Sequence, residues 1–477
     1  MKNKYAGMQV LVMGLGLHGG GLESVRYLAC RGAGITVTDM RDEGILAPSI
    51  AKLAAISGEA ESGAHPIRYV LGHHDMADFK KADMVIKNPG VRPDSPFLHA
   101  ARRIETDISL FLADSPARLI AVTGSKGKSS TASALHWALQ EGRNRGMLPG
   151  KAYLGGNITV SPLTFVDALT PEDDVVLELS SWQLGDLTGR QKNAQALLKP
   201  RAAVFTAIMA DHLDRYGNMD AYIADKRVIY QGQDGQDVTI APWDDWGRSF
   251  LRESPARPLV YADTPLPGDL AGGWLTGPHG PGLARLPLDE PVEVLPSQVL
   301  VPGVHQKRNL LAAALALLDL GLPPDCIRDA LGTFPGIEHR LEFFHEAEGI
   351  RFYNDTAATI PEAAAAAIAA FDAPVVLVTG GTDKNLDFTP LVQGAAKAKA
   401  RILLAGTGSE KLKTLLAGAG LSYRGPFDGM GAAVQASLEA AAPGDVVVLS
   451  PGCTSFGMFL NEFDRGRQWK AGVLMHT

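Results

Sequence analysis

Cysteine is scarce in this 477-residue chain: Cys30, Cys326 and Cys453 lie far apart and in no metal-ligand spacing. That excludes a disulfide framework and a cysteine-built zinc site, and reads as reduced thiols in a cytoplasmic protein. Long apolar runs are missing too. None approaches the roughly 20 residues needed to cross a bilayer, and the charged start, residues 1–9, is followed by no signal-type apolar segment. There is no basic excess either. A formal charge of −7 argues against a general nucleic-acid or membrane-surface binder, although local basic residues could still hold an anionic substrate. What remains is ordinary for a soluble globular protein with full cores: 46% hydrophobic and 20% charged residues. The length suits about three domains.

The most informative stretch is Leu119-Ile120-Ala121-Val122-Thr123-Gly124-Ser125-Lys126-Gly127-Lys128-Ser129-Ser130-Thr131. An apolar strand ends in glycines, lysine and hydroxyls, and an Ala/Leu-rich helical pattern follows. This is the layout of a phosphate cradle. Gly124 and Gly127 let backbone amides approach phosphate oxygens. Lys128 would reach the β- and γ-phosphates and Ser129 would hold Mg²⁺. Val122 stands where the usual first glycine falls, so the loop is a shortened variant.

Upstream, the apolar run 8–13 ends in Gly14-Leu15-Gly16-Leu17-His18-Gly19, a GxGxxG turn, and helical periodicity follows. A second strand, 35–38, delivers Asp39 about 20 residues past the third glycine. The pattern is that of a dinucleotide-binding unit, and a nicotinamide oxidoreductase is one reading of it. His18 reads as a loop side chain. Downstream of the phosphate loop, Gly155-Gly156-Asn157 marks a close turn, and Glu178 closes a buried strand where a metal ligand is expected in an ATP-binding sheet. Asp211-His212-Leu213-Asp214-Arg215 follows the strand 203–208 and suits a divalent metal. Lys226 falls on or beside the packed face of an amphipathic helix. The Gly/Pro-rich stretch 263–291 reads as loops and short strands.

Taken together, the phosphate loop, Gly155-Gly156-Asn157, Glu178-Leu179-Ser180-Ser181-Trp182-Gln183-Leu184, Asp211-His212, Asp214-Arg215 and Lys226 resemble the Mur ligase family of peptidoglycan synthesis, nearly throughout the chain. Within it the 178–184 run is most like the branch that adds glutamate. The resemblance implies an α/β fold of three domains: a Rossmann-like N-terminal domain (1–112), a central P-loop ATPase-like domain (113–335) and a C-terminal Rossmann-like domain (336–477). It implies ATP-dependent joining of glutamate, the D isomer with L-glutamate addition or another Mur-type amide ligase as the alternative, to UDP-N-acetylmuramoyl-L-alanine through an acyl phosphate, by a cytoplasmic monomer needing no nucleic acid and no stable membrane association. On this mapping Gly14, Leu15, Gly16, Leu17, Asp39, Arg41, Asn157, Ser180 and Gln183 bind the UDP-sugar. ATP would meet the loop residues Gly124, Ser125, Lys126, Gly127, Lys128, Ser129 and Ser130, with Asn309, Arg340 and Asp355. Lys128, Lys226 and His212 would be catalytic. Ser129 with Glu178, and His212 with a carbamylated Lys226, would hold two Mg²⁺ ions.

In the third domain, polar residues follow three expected strands at Asn354-Asp355-Thr356, Gly380-Gly381-Thr382-Asp383-Lys384 and residues 450–456. Strand ends that converge in an open parallel sheet bind ligands. The resemblance gives Thr359, Lys384, Ser455 and Phe456 to the incoming amino acid. Departures gather here: Ala357 stands where the family often has lysine, and Gly457 where aspartate is usual. Elsewhere Lys126 and Gln306 replace asparagines. Rival readings are a folylpolyglutamate synthetase, which the residue 14–19 turn argues against, the oxidoreductase, which gives Lys128, Glu178 and His212 no role, and a non-catalytic nucleotide-binding regulator, which needs none of the metal ligands.

Overall fold

The computed structural model describes residues 4–17, 19–59, 66–158, 160–188 and 198–477. The expectation for His18 lies outside them. The chain forms two compact units, Met1–Pro296 with Arg308–Leu331, and Ser297–Lys307 with Gly332–Thr477.

The first unit holds two sheets. Strands β1 (Gln9–Met13), β2 (Gly34–Asp39), β3 (Arg68–Leu71), β4 (Met84–Lys87) and β5 (Ile104–Glu105) form a sheet in the order β3-β2-β1-β4-β5, parallel throughout. The apolar runs of two inner strands, residues 10–13 of β1 and 84–86 of β4, suit strands covered on both faces. The strand order reverses at β1, and a parallel sheet opens a ligand crevice at that point.

The second sheet contains β6 (Arg118–Thr123), β7 (Ala152–Gly156), β8 (Asp174–Glu178), β9 (Ala202–Phe205), β10 (Val238–Pro242), β11 (Arg257–Ala262), β12 (Gly272–Leu275), β13 (Gly282–Arg285) and β14 (Val292–Leu295). Their order is β14-β13-β12-β11-β10-β9-β6-β8-β7. Pairing is parallel from β7 to β12 and antiparallel at the β13 and β14 edge. The Gly/Pro-rich stretch thus supplies two short strands, β12 and β13. β6 lies between β8 and β9, and Glu178 is in register with Val122 at the mouth of the phosphate loop. The strand expected over 203–208 stops at Phe205. Beyond it the carbonyl of Ala207 accepts from the amides of Ser125 (2.8 Å) and Lys126 (3.3 Å), so this segment braces the loop.

The second unit carries β15 (Glu342–Ala347), β16 (Ile350–Asn354), β17 (Val375–Gly380), β18 (Ala400–Leu404), β19 (Arg424–Phe427) and β20 (Val446–Leu449) in the order β15-β16-β20-β17-β18-β19. Only the β15 pairing is antiparallel. The Ala-rich segment forms the expected helix, Pro361–Ala369, as alanine's helix propensity dictates. The helix Val304–Asp319 contributes its first residues to this unit and the rest to the first. Among the described residues no helix is long and apolar enough to cross a membrane.

Candidate active site

The phosphate loop turns into the helix Lys128–Asn144 through Gly127, which is left-handed at φ 92°. A Cβ there would stand 2.4 Å from Asn309 Oδ1, so glycine is required by backbone and packing alike. Asn309 therefore abuts the loop. The amides of Ser125 and Lys126 are engaged by Ala207, and the Ser125 hydroxyl bonds Met209 and Tyr222. The amides that could receive an anion are consequently those of the helix's first turn, Lys128, Ser129 and Ser130, which have no acceptor within the helix. Lys126 is exposed, with its ammonium 3.7 Å from Asp211.

Two lysines meet over this loop. Lys128 Nζ donates to the carbonyls of Gly124 (3.0 Å) and Ser125 (3.2 Å). Lys226 Nζ donates to Gly124 (2.8 Å) and to Thr123 Oγ1 (3.4 Å). Lys226 is 1% exposed, deeper than the packed face expected of it. Burial and then the nearby Lys128 charge push its amine down to about 7. Burial also lowers Lys128.

Glu178, 1% exposed, explains the Gly-Gly-Asn turn. Asn157 donates its side-chain amide to Glu178 Oε1 (3.0 Å) and its backbone amide to the Glu178 carbonyl (2.8 Å). A Cβ on Gly156 would lie 2.2 Å from that carbonyl. The other carboxylate oxygen, Oε2, is buried with no hydrogen-bond partner among the described residues, a state that favours a cation nearby. Ser180 and Gln183 form a reciprocal capping box on the helix Ser181–Asp186, with bonds of 3.2 and 3.0 Å. His212 sits at φ 53°, half exposed, its ring 5.0 Å from that of Trp182. Arg215 stacks on the same indole at 4.0 Å.

In the first sheet, Asp39 accepts from the amides of Gly16 (3.2 Å) and Arg41 (3.0 Å), so its carboxylate clamps the glycine turn. The crevice at the reversal of strand order and the phosphate loop open on one cavity of about 580 Å³. Leu15, Gly16, Leu17 and Arg41 line one side of it; Asn157, Ser180 and Gln183 follow; Gly124, Lys128, His212 and Lys226 line the other. Asp107, Ser161, Trp182 and Tyr222 line it as well and were not singled out as site residues by sequence. Asp107 opens a helix with an ordinary capping box, and no motif marks it.

In the second unit the three polar runs follow β16, β20 and β17, which are neighbours, so they gather at one sheet end as expected. The runs after β17 and β20 are joined by backbone bonds between Thr382 and Thr454 (3.1 and 3.0 Å). Asp355 accepts from Ser450 Oγ (2.7 Å) and the Leu341 amide (3.1 Å), and burial raises it to about 6 despite the opposing charge of Arg340. Arg340 and Lys384 are exposed, Thr359 is half-buried, Ser455 is buried and Phe456 is exposed. In this unit Arg465 was not singled out by sequence reasoning. Fully buried on the helix Glu462–His476, it donates to Thr356 Oγ1 (3.0 Å), the Thr356 carbonyl (3.0 Å) and the Cys453 carbonyl (3.2 Å), tying two of the runs together.

The first unit thus defines a class: an α/β enzyme with a P-loop and a Rossmann-like ligand crevice on one cavity. Three family models match in order, "Mur ligase MurD-like, N-terminal domain" over residues 8–109, "Mur ligase middle domain" over 122–317 and "Mur ligase, glutamate ligase domain" over 339–453. The chain belongs to the Mur ligase family. It is 41% identical to the UDP-N-acetylmuramoylalanine–D-glutamate ligase of Treponema pallidum, over 98% of this chain and 97% of that one. It is 39% identical to the protein of that name from Roseiflexus sp., over 99% of each. Among solved structures, UDP-N-acetylmuramate-alanine ligase MurC of Thermotoga maritima shares the fold at TM-score 0.55 and 17% identity, over 98% of this chain and 100% of that one. MurF ligase of Thermotoga maritima, in complex with ADP, does so at TM-score 0.52 and 16% identity, over 100% and 98%.

Proposed function

We propose that this chain is an ATP-dependent ligase that joins D-glutamate to UDP-N-acetylmuramoyl-L-alanine in peptidoglycan precursor synthesis. The observation that carries the reading is the single cavity running from the Gly16 and Arg41 crevice to Lys128 and Lys226. A uridine nucleotide on the first wall would present its alanyl carboxylate to a γ-phosphate held on the second. Like-named relatives at 41 and 39% identity along the whole chain support the same substrates.

The chemistry follows from the charges. A carboxylate is a poor electrophile, so its oxygen first attacks the γ-phosphorus and ADP departs, leaving an acyl phosphate. The amine of glutamate then attacks the acyl carbon, phosphate leaves and the amine loses a proton. The first step brings two anions together, and cations must offset their repulsion. Lys128 supplies one. The Ser129 hydroxyl and the unpartnered oxygen of Glu178 fit an oxygen-ligated Mg²⁺, which would neutralise further phosphate charge. Lys226 fits carbamylation, since its desolvated amine is partly neutral at about 7 and can add to CO₂ with loss of a proton. The resulting carboxylate, with His212, would be a second ligand set. In the second unit Thr359, Lys384, Ser455 and Phe456 are assigned to the amino acid, and Arg340 and Asp355 to the nucleotide. The three free cysteines fit a cytoplasmic site of action.

The test is phosphate release from ATP. It should require both UDP-N-acetylmuramoyl-L-alanine and glutamate together, and release with either one omitted at the full rate would remove the reading.

A further inference from the structure

Lys87 is the last residue of β4, and its side chain is 0% exposed. Asn88, Pro89 and Gly90, which come directly after it, line the cavity beside the glycine turn. Asn88 holds that turn, donating to the Gly14 carbonyl at 3.3 Å. Asp186 is the last residue of the helix Ser181–Asp186, 4% exposed, and that helix presents Ser181, Trp182 and Gln183 to the same cavity. Lys87 Nζ donates to Asp186 Oδ2 at 2.7 Å. One buried ion pair therefore joins the two walls directly behind their lining residues.

The link continues. Gly185 packs so closely on Asp225 that a Cβ would stand 2.3 Å from the Asp225 carboxylate. Asp225 accepts from Tyr216 at 2.9 Å and immediately precedes Lys226. A shift of Asp186 would thus move Trp182 and press on the helix that carries Lys226. A buried ion pair is a poor source of net stability, because desolvation consumes most of the Coulombic gain, whereas its directionality fixes register.

We propose that the Lys87–Asp186 pair is a positioning element that holds the nucleotide-sugar wall of the cavity in register with the wall bearing the phosphate chemistry. Neither residue touches substrate. The inference rests on the ligase reading and falls with it.

The experiment is steady-state kinetics on the full chain, wild type beside Lys87→Met, Asp186→Asn and the double variant Lys87→Met/Asp186→Leu. The singles should raise KM for UDP-N-acetylmuramoyl-L-alanine about tenfold or more while KM for ATP stays within about twofold, since misplacement of one wall is costly for the ligand spanning both. The double variant removes both charges at once and leaves Arg215 and Asp225, which also act on the pair, to offset each other, so it should fold with a thermal midpoint close to wild type and still show the KM shift. A lowered thermal midpoint with both KM values unchanged overturns the proposal. So does failure of the double variant to fold, which would make the pair a plain stability element. A wild type that does not turn over this substrate at all contradicts the ligase reading itself, and is thereby distinguished from turnover with unshifted KM in the variants.

Discussion

Lys128 and Lys226 share one acceptor: both ammonium groups donate to the carbonyl of Gly124, at 3.0 and 2.8 Å. Two like charges on one oxygen in a buried site cannot both be comfortable. Burial first and the Lys128 charge second bring the Lys226 amine down to about 7, and burial lowers Lys128 as well. Only a neutral amine can add to CO₂, so this lowering is what the carbamylation proposed for Lys226 needs.

That relationship makes Lys226 testable by pH and by rescue. Below about 7 the amine is protonated and cannot hold CO₂, so wild-type activity should fall with falling pH through that value and respond to added bicarbonate. Lys226→Ala should be inactive and partly restored by acetate or formate, which return a carboxylate to the gap. An intact-protein mass without the CO₂ adduct, together with normal activity of the variant, would sink the idea.

In the proposed function Lys128 acts on charge at the γ-phosphate, and the residue belongs to no apolar core. Lys128→Ala should lower kcat by about 10²–10³, as loss of one preorganised charge donor does, with an unaltered circular-dichroism melt. Near-normal turnover would remove the phosphate-loop assignment.

Much of this site was legible because its chemistry is local in sequence. The phosphate loop, the Gly-Gly-Asn turn and the 178–184 run each put their functional groups within a few residues, and each recurs in the structure as a strand end, a turn or a cap. The reason for each residue was less legible. Ser180 and Gln183 cap their own helix, Asn157 serves Glu178, and Ser125 spends its hydroxyl on Met209. Contacts distant in sequence were invisible: Lys87 with Asp186, Asp107 with Ser161 at 3.0 Å, and Arg465 with Thr356 all depend on tertiary placement that no spacing rule encodes.

Gly127 carries a double constraint. Any side chain meets the left-handed backbone penalty of about 1–2 kcal/mol, and a Cβ would also press on Asn309 at 2.4 Å. Gly127→Ala should therefore raise KM for ATP by about tenfold, in line with that penalty. Equal ATP affinity in wild type and Gly127→Ala, read by calorimetry, would contradict the assignment.

Asp355 is held protonated above its ordinary range, at about 6. Between the unfolded carboxyl value near 4 and that value the folded state binds a proton that the unfolded state has lost. Stability therefore falls as pH rises through this window and stays lower above it. Asp355→Asn keeps the shape and removes the buried charge. It should raise the thermal midpoint more at about pH 7.5 than at about pH 5, while lowering ligase activity. A pH-independent difference in melting would show that the burial of this charge is not what costs stability.

The amino-acid substrate is the sharpest question for the second unit, where Lys384 is exposed and Ala357 brings no charge. The decisive measurement is the product formed from ATP and UDP-N-acetylmuramoyl-L-alanine with a panel of D- and L-amino acids, followed by mass spectrometry and by phosphate release. The account predicts one phosphate per product, with D-glutamate the preferred partner. A preference for lysine, diaminopimelate or a neutral amino acid, or phosphate release that ignores the nucleotide-sugar, would contradict it.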